Sequence, residues 1–338
     1  MENKNITIID STLRDGSHAV AHSFSQEQAA NIAAALNKAG SKYIEVAHGD
    51  GLSGSSCQYG FMKHNEMDVI KAVIANAGDA KVGVLLLPGI GTIADLKQAR
   101  EAGIQFVRVA THVTEADISA QHIQWAKQNG LFVAAMLMMS HMAEPEIILQ
   151  EAKKFEEYGA DVVYLADSAG ALLPEEVTQR IKILTENLNI PVGFHAHNNL
   201  GLAIANSLAA VQAGALFIDA TLAGLGASAG NAAHEVLVAV LNKCKVQTHE
   251  DLYTLMDAAE DNVRVLDAQM AIDKYALSIG YAGVYGSFFL HAKRAAARFS
   301  VDARDVLMEL GRLKTVGGQE DMIIEVAQRL AQKQEREQ

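Results

Sequence analysis

The chain has 338 residues, half of them hydrophobic, and a formal net charge of −12. This acidic balance, without a Lys/Arg-rich run, argues against nucleic acid and anionic membrane as partners, and no apolar run is long enough to span a bilayer. Cys57 and Cys244 are the only cysteines, and the opening residues form no apolar signal segment, so we expect no disulfide framework and a cytoplasmic location.

Strand-like apolar runs recur along the chain, as expected for parallel strands buried on both faces. Eight are predicted, at residues 6–12, 42–47, 81–87, 106–111, 132–138, 162–166, 192–197 and 217–222. Helical periodicity between them, for example over 26–38 and 147–158, predicts repeating strand–helix units. Eight such units close into a barrel, so the predicted fold class is α/β, a (β/α)8 TIM barrel. The alternative is a doubly wound open sheet, which we disfavour because no Gly-rich nucleotide-binding loop follows the first strand.

The pattern changes after residue 222. An amphipathic helix is predicted over 249–266, and helical segments continue towards the end of the sequence. We therefore expect a barrel domain over residues 1–247 that carries the catalytic site, and a mainly helical C-terminal region over residues 248–338.

Two short segments far apart in the sequence could together hold a metal ion. Arg14 and Asp15 follow the first predicted strand. His195 and His197 end the seventh, where the two-residue period of a strand places both imidazoles on one face. The C-terminal ends of barrel strands meet at one mouth, so these residues are expected to lie together. A carboxylate and two imidazoles leave coordination positions for water or substrate, as in a catalytic metal site. The alternatives are hydrogen-bonded core histidines and a ferrous oxygenase site, which uses the same ligand types.

A lysine-dependent aldolase mechanism finds no support in the sequence. A Schiff-base enzyme needs a desolvated lysine, and no predicted strand has a lysine at its C-terminal end. A metal would then have to accept the electrons of a broken carbon–carbon bond. Glu45 lies within the second predicted strand, where a carboxylate is costly to bury unless it is paired. We expect it to hydrogen-bond Arg14 or to support the metal site.

A family resemblance is carried first by two segments, Asp10-Ser-Thr-Leu-Arg-Asp-Gly-Ser-His18 and His195-Ala-His-Asn198. They resemble the signature segments of the metal-dependent pyruvate aldolases that cleave 4-hydroxy-2-oxovalerate, within the superfamily of hydroxymethylglutaryl lyases and isopropylmalate synthases. Further similar segments extend the resemblance over nearly the whole chain, among them His48-Gly-Asp-Gly51 and Gly280-Tyr-Ala-Gly-Val-Tyr285. The Ser17-His18 ending, where the synthases usually have Glu-Gln, indicates the aldolases.

The resemblance implies a role for each matching position. The implied metal ligands are Asp15, His195 and His197. Arg14 is implied to steady an enolate oxygen, and His18 to be the catalytic base. The implied substrate contacts are Arg14, Asp15, Ser168, His195 and Tyr285. Since Tyr285 lies beyond residue 247, the resemblance implies that the C-terminal region contributes to the site.

These roles imply a class II aldolase that cleaves 4-hydroxy-2-oxovalerate to pyruvate and acetaldehyde. The resemblance favours Mn²⁺, and the ligand types also suit Co²⁺ or Mg²⁺. It further implies an acylating acetaldehyde dehydrogenase as partner, in addition to any homo-oligomer, with contacts through the C-terminal region. The alternative enzyme is a Claisen-type acyl-CoA synthase or lyase of the same superfamily. The non-enzymatic alternative is a catalytically silent scaffold.

Overall fold

The computed structural model describes residues 5–266, 268 and 270–337, so residues 1–4 of the opening segment lie outside the described residues. Parallel strands form a closed barrel in sequence order, in which the first strand pairs with the last. The strands are β1 (Thr7–Asp10), β2 (Tyr43–Glu45), β3 (Lys81–Leu86), β4 (Phe106–His112), β5 (Phe132–Met138), β6 (Val162–Asp167), β7 (Val192–Ala196) and β8 (Phe217–Ala220). The predicted strands are all present, and the predicted (β/α)8 fold is confirmed.

Helices surround the barrel and continue beyond it. They are α1 (Gly16–Ala19), α2 (Gln26–Ala39), α3 (Glu66–Asn76), α4 (Ile93–Ala102), α5 (Ala120–Gln128), α6 (Pro145–Tyr158), α7 (Pro174–Asn187), α8 (Ala203–Ala213), α9 (His234–Lys243), α10 (Leu252–Asn262), α11 (Lys274–Ala282), α12 (Phe288–Phe299), α13 (Ala303–Arg312) and α14 (Asp321–Glu337). Short 3₁₀ helices occur at Ala116–Ser119, Ser140–Met142 and Leu222–Gly224. Within the described ranges, none of the helices has the length and apolar character needed to cross a membrane.

Several element boundaries differ from the sequence prediction by a few residues. The helix predicted over 249–266 is shorter at both ends, and its start is set by Asp251, which caps it by accepting the amide N–H of Thr254 at 2.8 Å. The seventh strand ends at Ala196 rather than at His197, which instead forms an isolated bridge with Asn231. This bridge keeps the second histidine beside the first although the ladder has ended.

Aromatic side chains fill the N-terminal end of the barrel. The Tyr43 ring lies 5.5–6.3 Å, centroid to centroid, from the rings of Phe106, Phe132 and Phe217. Gly83 leaves space for this packing, because a Cβ there would lie 2.3 Å from the Phe106 ring. Polar interior positions lie nearer the opposite mouth, two residues after Tyr43, Phe106 and Phe217 and, on β7, two residues after Gly193. They are Glu45, Arg108, His195 and Asp219.

The C-terminal helices contain a second apolar core. Helix α10 packs against α2 and α9 of the barrel, whereas α11–α14 surround their own cluster, which includes Phe288 and Leu307. A hydrogen bond of 3.0 Å from Nε2 of His141, after β5, to the carbonyl oxygen of Gly283 joins the two parts. The turn that carries Tyr285 is thereby held against the barrel mouth.

Candidate metal centre

Three side chains converge at the C-terminal mouth of the barrel. After β1 the chain turns, and the carbonyl oxygen of Ser11 accepts the amide N–H groups of both Arg14 and Asp15. β7 leads into His195 and His197, whose Nε2 atoms are 3.3 Å apart. These atoms lie 3.9 Å and 4.0 Å, respectively, from Oδ2 of Asp15. The structure therefore brings together the three residues that the sequence predicts as metal ligands.

These distances suit a divalent metal ion. In the plane of the three atoms, the point equidistant from them lies about 2.2 Å from each. This is close to usual metal–nitrogen and metal–oxygen bond lengths. In His195 and Asp15, the polar side-chain atom that does not face the metal position is already hydrogen-bonded within the protein. Nδ1 of His195 is 2.9 Å from Oδ2 of Asp219, and Oδ1 of Asp15 accepts hydrogen bonds from Asn231 and from the amide of Ala227. Such outer contacts orient the remaining ligand atoms towards one point.

The protonation states also suit metal binding. Burial lowers the pKa of His197 to about 4 despite the opposing charge of Asp15, so the ring is neutral at pH 7 and its lone pair is available. Burial alone would raise the pKa of Asp15, but Arg14 and the two histidines outweigh it and hold that pKa well below its usual range. The site therefore offers one carboxylate and a neutral imidazole without first losing a proton.

A buried chain of alternating charges connects Arg14 with His195. Nε of Arg14 donates to Glu45 at 2.7 Å, and Nε of Arg108 donates to the other oxygen of Glu45 at 2.6 Å. Arg108 also donates to both carboxylate oxygens of Asp219, which contacts His195. The predicted pairing of Glu45 with Arg14 is confirmed. Because each buried charge has an opposite neighbour, the chain can fix Arg14 and His195 relative to each other without an uncompensated charge.

His18 follows Asp15 in the same turn, where its amide N–H donates to the Asp15 carbonyl oxygen, and its ring packs on the segment formed by residues 48–51. Its ring lies directly on Gly49, where a Cβ would be 2.5 Å from Nε2, and its Nδ1 is 4.0 Å from Oδ2 of Asp50. The His22 ring contacts His18 edge-on at 5.1 Å and stacks on His48 at 3.8 Å. Burial, with the charges that His18 and His48 can carry, lowers the pKa of His22 to about 3. His22 is therefore neutral at pH 7 and packs between the rings of His18 and His48.

The two other predicted site residues lie further out on the rim. Ser168 follows β6, and its hydroxyl oxygen accepts the amide N–H of Met139 at 3.0 Å. Tyr285 lies between α11 and α12, where burial, with Glu115 and Tyr59 nearby, raises its pKa. Substrate contact by Ser168 and Tyr285 stays a prediction.

Arg108, Asp219 and Asn231 contribute to the site although the sequence patterns did not indicate them as site residues. The first two carry a detectable signal, because each is a charged residue inside an apolar strand, two positions after an inward-facing phenylalanine. A fully buried charge requires a partner, so such a residue indicates a charge network. Asn231 lies in an irregular loop, and only the structure brings its amide to Asp15.

Comparison with known proteins gives one consistent family. Residues 5–261 match the HMGL-like family, and residues 270–332 match the DmpG-like communication domain. The chain is 58% identical to the 4-hydroxy-2-oxovalerate aldolase of Carboxydothermus hydrogenoformans, over 97% of this chain and 98% of that protein. It is 55% identical to the enzyme of the same name from Brevibacillus brevis, over 98% of this chain and 97% of that protein.

A solved structure with a similar fold is the carboxyl transferase domain of Rhizobium etli pyruvate carboxylase, with pyruvate and biocytin. The TM-score is 0.82 at 18% sequence identity, and the match covers 98% of this chain and 61% of that one. At this identity the likeness concerns the fold alone.

Proposed function

The chain belongs to the HMGL-like family and, within it, to the 4-hydroxy-2-oxovalerate aldolases, and from this premise we propose that it cleaves 4-hydroxy-2-oxovalerate to pyruvate and acetaldehyde. The observation that carries the proposal is the convergence of Asp15, His195 and His197. Arg14 contacts Asp15, and the amide N–H of His18 donates to the carbonyl oxygen of Asp15 in the same turn. That arrangement combines a proton acceptor, a fixed cation and a metal site at one mouth.

Membership of this family implies a divalent metal. We propose that Asp15, His195 and His197 hold it and that the ion is Mn²⁺, with Co²⁺ and Mg²⁺ as further candidates. Two nitrogens, one carboxylate oxygen and water suit an octahedral ion of this kind. When bound, such an ion supplies Lewis acidity, which lowers the free energy of negative charge on a keto oxygen.

His18 is proposed to begin the reaction by accepting the proton of the C4 hydroxyl. The electron pair left on that oxygen forms the carbonyl of acetaldehyde, and the C3–C4 bond breaks. Its electrons form the C2–C3 double bond of the pyruvate enolate, so negative charge moves to the C2 oxygen. A proton then returns to C3 to give pyruvate. An imidazole suits this role, because it can both accept a proton and give it back during the reaction.

Arg14 is proposed to stabilise the charge that develops on the C2 oxygen. Its Nε donates to Glu45 and one N–H of its Nη1 donates to Asp15, so the second N–H of Nη1 and both N–H groups of Nη2 are the donors left for substrate. Because the guanidinium is held by two buried carboxylates, it needs little reorganisation as the charge forms. A fixed donor of this kind contributes a few kcal/mol to transition-state stabilisation.

The outer parts of the site are proposed to select the substrate. Ser168 and Tyr285 would contact the 4-hydroxy-2-oxo acid, together with Arg14, Asp15 and His195. Support for Tyr285 comes from the hydrogen bond between His141 and Gly283, which holds the turn before Tyr285 against the barrel mouth. We further propose that residues 1–247 form the catalytic domain and that residues 248–338 complete the site and contact partners.

An acylating acetaldehyde dehydrogenase is the proposed partner, in a hetero-oligomer that can also contain further copies of this chain. The match of residues 270–332 to a communication domain supports this association. Apolar side chains on the same region are exposed, with Tyr281 77% and Leu290 50% accessible, as an interface would require. We place the complex in the cytoplasm, because Cys57 and Cys244 are both free thiols.

A metal-depletion assay tests the proposed function. The protein is stripped with a chelator, single divalent ions are added back, and pyruvate release from 4-hydroxy-2-oxovalerate is followed. We expect no turnover without metal and the greatest recovery with Mn²⁺. Absence of pyruvate with every ion would contradict the proposal. Condensation of an acyl-CoA with a 2-oxo acid by the same protein would instead favour the Claisen-type alternative.

A further inference from the structure

A histidine outside the metal centre lies between two carboxylates. Nδ1 of His234, the first residue of α9, is 2.9 Å from Oδ2 of Asp10, and its Nε2 is 2.9 Å from Oε2 of Glu250. Asp10 and His234 are fully buried, and the side chain of Glu250 is only 3% exposed. The three residues come from the end of β1, the start of α9 and the loop before α10.

The contacts require a charged imidazole. An ionised carboxylate can only accept hydrogen bonds, so a ring that faces one carboxylate with each nitrogen must donate from both. Burial disfavours that charge, but Glu250 and Asp10 outweigh burial and raise the pKa of His234 to about 10. His234 is therefore an imidazolium at neutral pH and offsets part of the buried negative charge around it.

Asp10 connects this imidazolium with the metal centre. Its other oxygen, Oδ1, accepts the amide N–H of Thr12 at 2.9 Å, and the Thr12 hydroxyl oxygen accepts the amide of Leu222 at 2.8 Å. Both contacts lie in the turn that continues directly to Arg14 and Asp15. The amide of His234 itself donates to the carbonyl oxygen of Thr221 at 2.8 Å. The Asp10 carboxylate is thus fixed from two sides at the base of this turn.

We propose that His234 is a positioning residue, which holds Asp10 so that the following turn presents Arg14 and Asp15 correctly, and which ties this turn through Glu250 to the start of α10. The inference rests on the proposed function only for the role of the metal ligand Asp15. It assigns a task to a residue that makes no contact with the ligand atoms themselves.

Metal affinity provides the principal test. His234→Leu removes both hydrogen bonds at similar volume and is expected to weaken Mn²⁺ binding, by less than the about 10- to 100-fold that loss of a direct contact to a metal ligand costs. His64→Leu, in the loop between β2 and α3, is the matched control and should bind Mn²⁺ as the wild type does. Wild-type Mn²⁺ affinity in His234→Leu would overturn the proposal. If that variant does not fold, His234→Gln, which keeps a donor towards Asp10 but no charge, is measured in its place.

A double-mutant cycle separates positioning from general destabilisation. If His234 acts through Asp10, the double variant Asp10→Asn/His234→Leu binds Mn²⁺ no more weakly than Asp10→Asn alone. Additive losses of Mn²⁺ affinity would contradict the proposed route.

NMR of ¹⁵N-histidine reads the charge of the ring directly. The His234 signal should be that of an imidazolium at pH 8, and Glu250→Gln should lower the pH at which the ring loses its proton. A neutral ring at pH 8 would overturn the proposal. None of these measurements depends on turnover of 4-hydroxy-2-oxovalerate, so failure of the proposed function would be recognised separately.

Discussion

Nδ1 of His195 lies 2.9 Å from Oδ2 of Asp219, across the adjacent strands β7 and β8. The carboxylate is itself held by Arg108, which donates to both of its oxygens. The imidazole must therefore carry its proton on Nδ1 and direct the lone pair of Nε2 at the metal position. The orientation of one ligand is thus set by a neighbouring strand, not by its own segment.

Asp219→Asn is expected to weaken metal binding while the three proposed ligands remain. Asn can accept one hydrogen bond from His195, but it leaves the buried guanidinium of Arg108 with only Glu45 as a counter-charge. We expect Mn²⁺ affinity to fall about 10- to 100-fold and the free energy of unfolding to fall by about 3–5 kcal/mol. Isothermal titration with Mn²⁺ and urea unfolding measure the two effects. Unchanged affinity would show that Asp219 does not orient His195.

Variants of Arg14 and of His195 should distinguish a loss of catalysis from a loss of metal binding. Arg14→Ala should retain Mn²⁺, because it removes a positive charge that competes with the ion for Oδ2 of Asp15, and should lower kcat by about 10²–10³-fold through loss of the enolate donor. His195→Ala should lose Mn²⁺ and turnover together. Arg14→Lys should recover only part of kcat, since an ammonium cannot serve Glu45, Asp15 and substrate in the same planar geometry. Parallel loss of metal in Arg14→Ala would argue against this division of roles.

Gly49→Ala tests whether catalysis depends on the position of the His18 ring. The new Cβ would lie 2.5 Å from Nε2 of His18, so the ring must move. We expect kcat for pyruvate release to fall and Mn²⁺ affinity to remain. Gly317→Ala is the matched control, because no atom lies within 4 Å of its Cβ position. Wild-type kcat in Gly49→Ala would exclude a base that depends on this ring position.

The contribution of His234 to stability should decline at alkaline pH. Its pKa is raised to about 10 in the fold, against about 6.5 in an unfolded chain, so the folded state binds its proton more tightly. The stabilisation is therefore complete below about pH 6.5 and is lost as the pH rises through about 10. Urea unfolding of the wild type and His234→Leu between pH 7 and pH 10 should show the difference in unfolding free energy shrinking as the pH rises. A difference independent of pH would mean that the ring is not charged in the folded state.

Much of the fold could be predicted from local patterns. Apolar runs located the strands, and the two-residue period placed His195 and His197 on one face, because a strand alternates its side chains wherever it lies. Boundaries were less predictable. Helix α10 begins only after its cap at Asp251, and His197 is held by the bridge to Asn231 rather than by the β-ladder.

The sequence by itself determined the barrel, the ligand types and the positions of Arg14, Asp15 and His18 after the first strand, since these depend on periodicity and on short motifs. Only the tertiary structure decided which charges pair. Closure of the barrel places β1 beside β8. In the barrel interior, Arg108 contacts Glu45, 63 residues before it in the sequence, and Asp219, 111 residues after it. The same folding seats His234 against Asp10 across 224 residues. Such pairings follow from strand register and loop packing, because the stabilisation of a buried charge depends on its distance in space rather than along the chain.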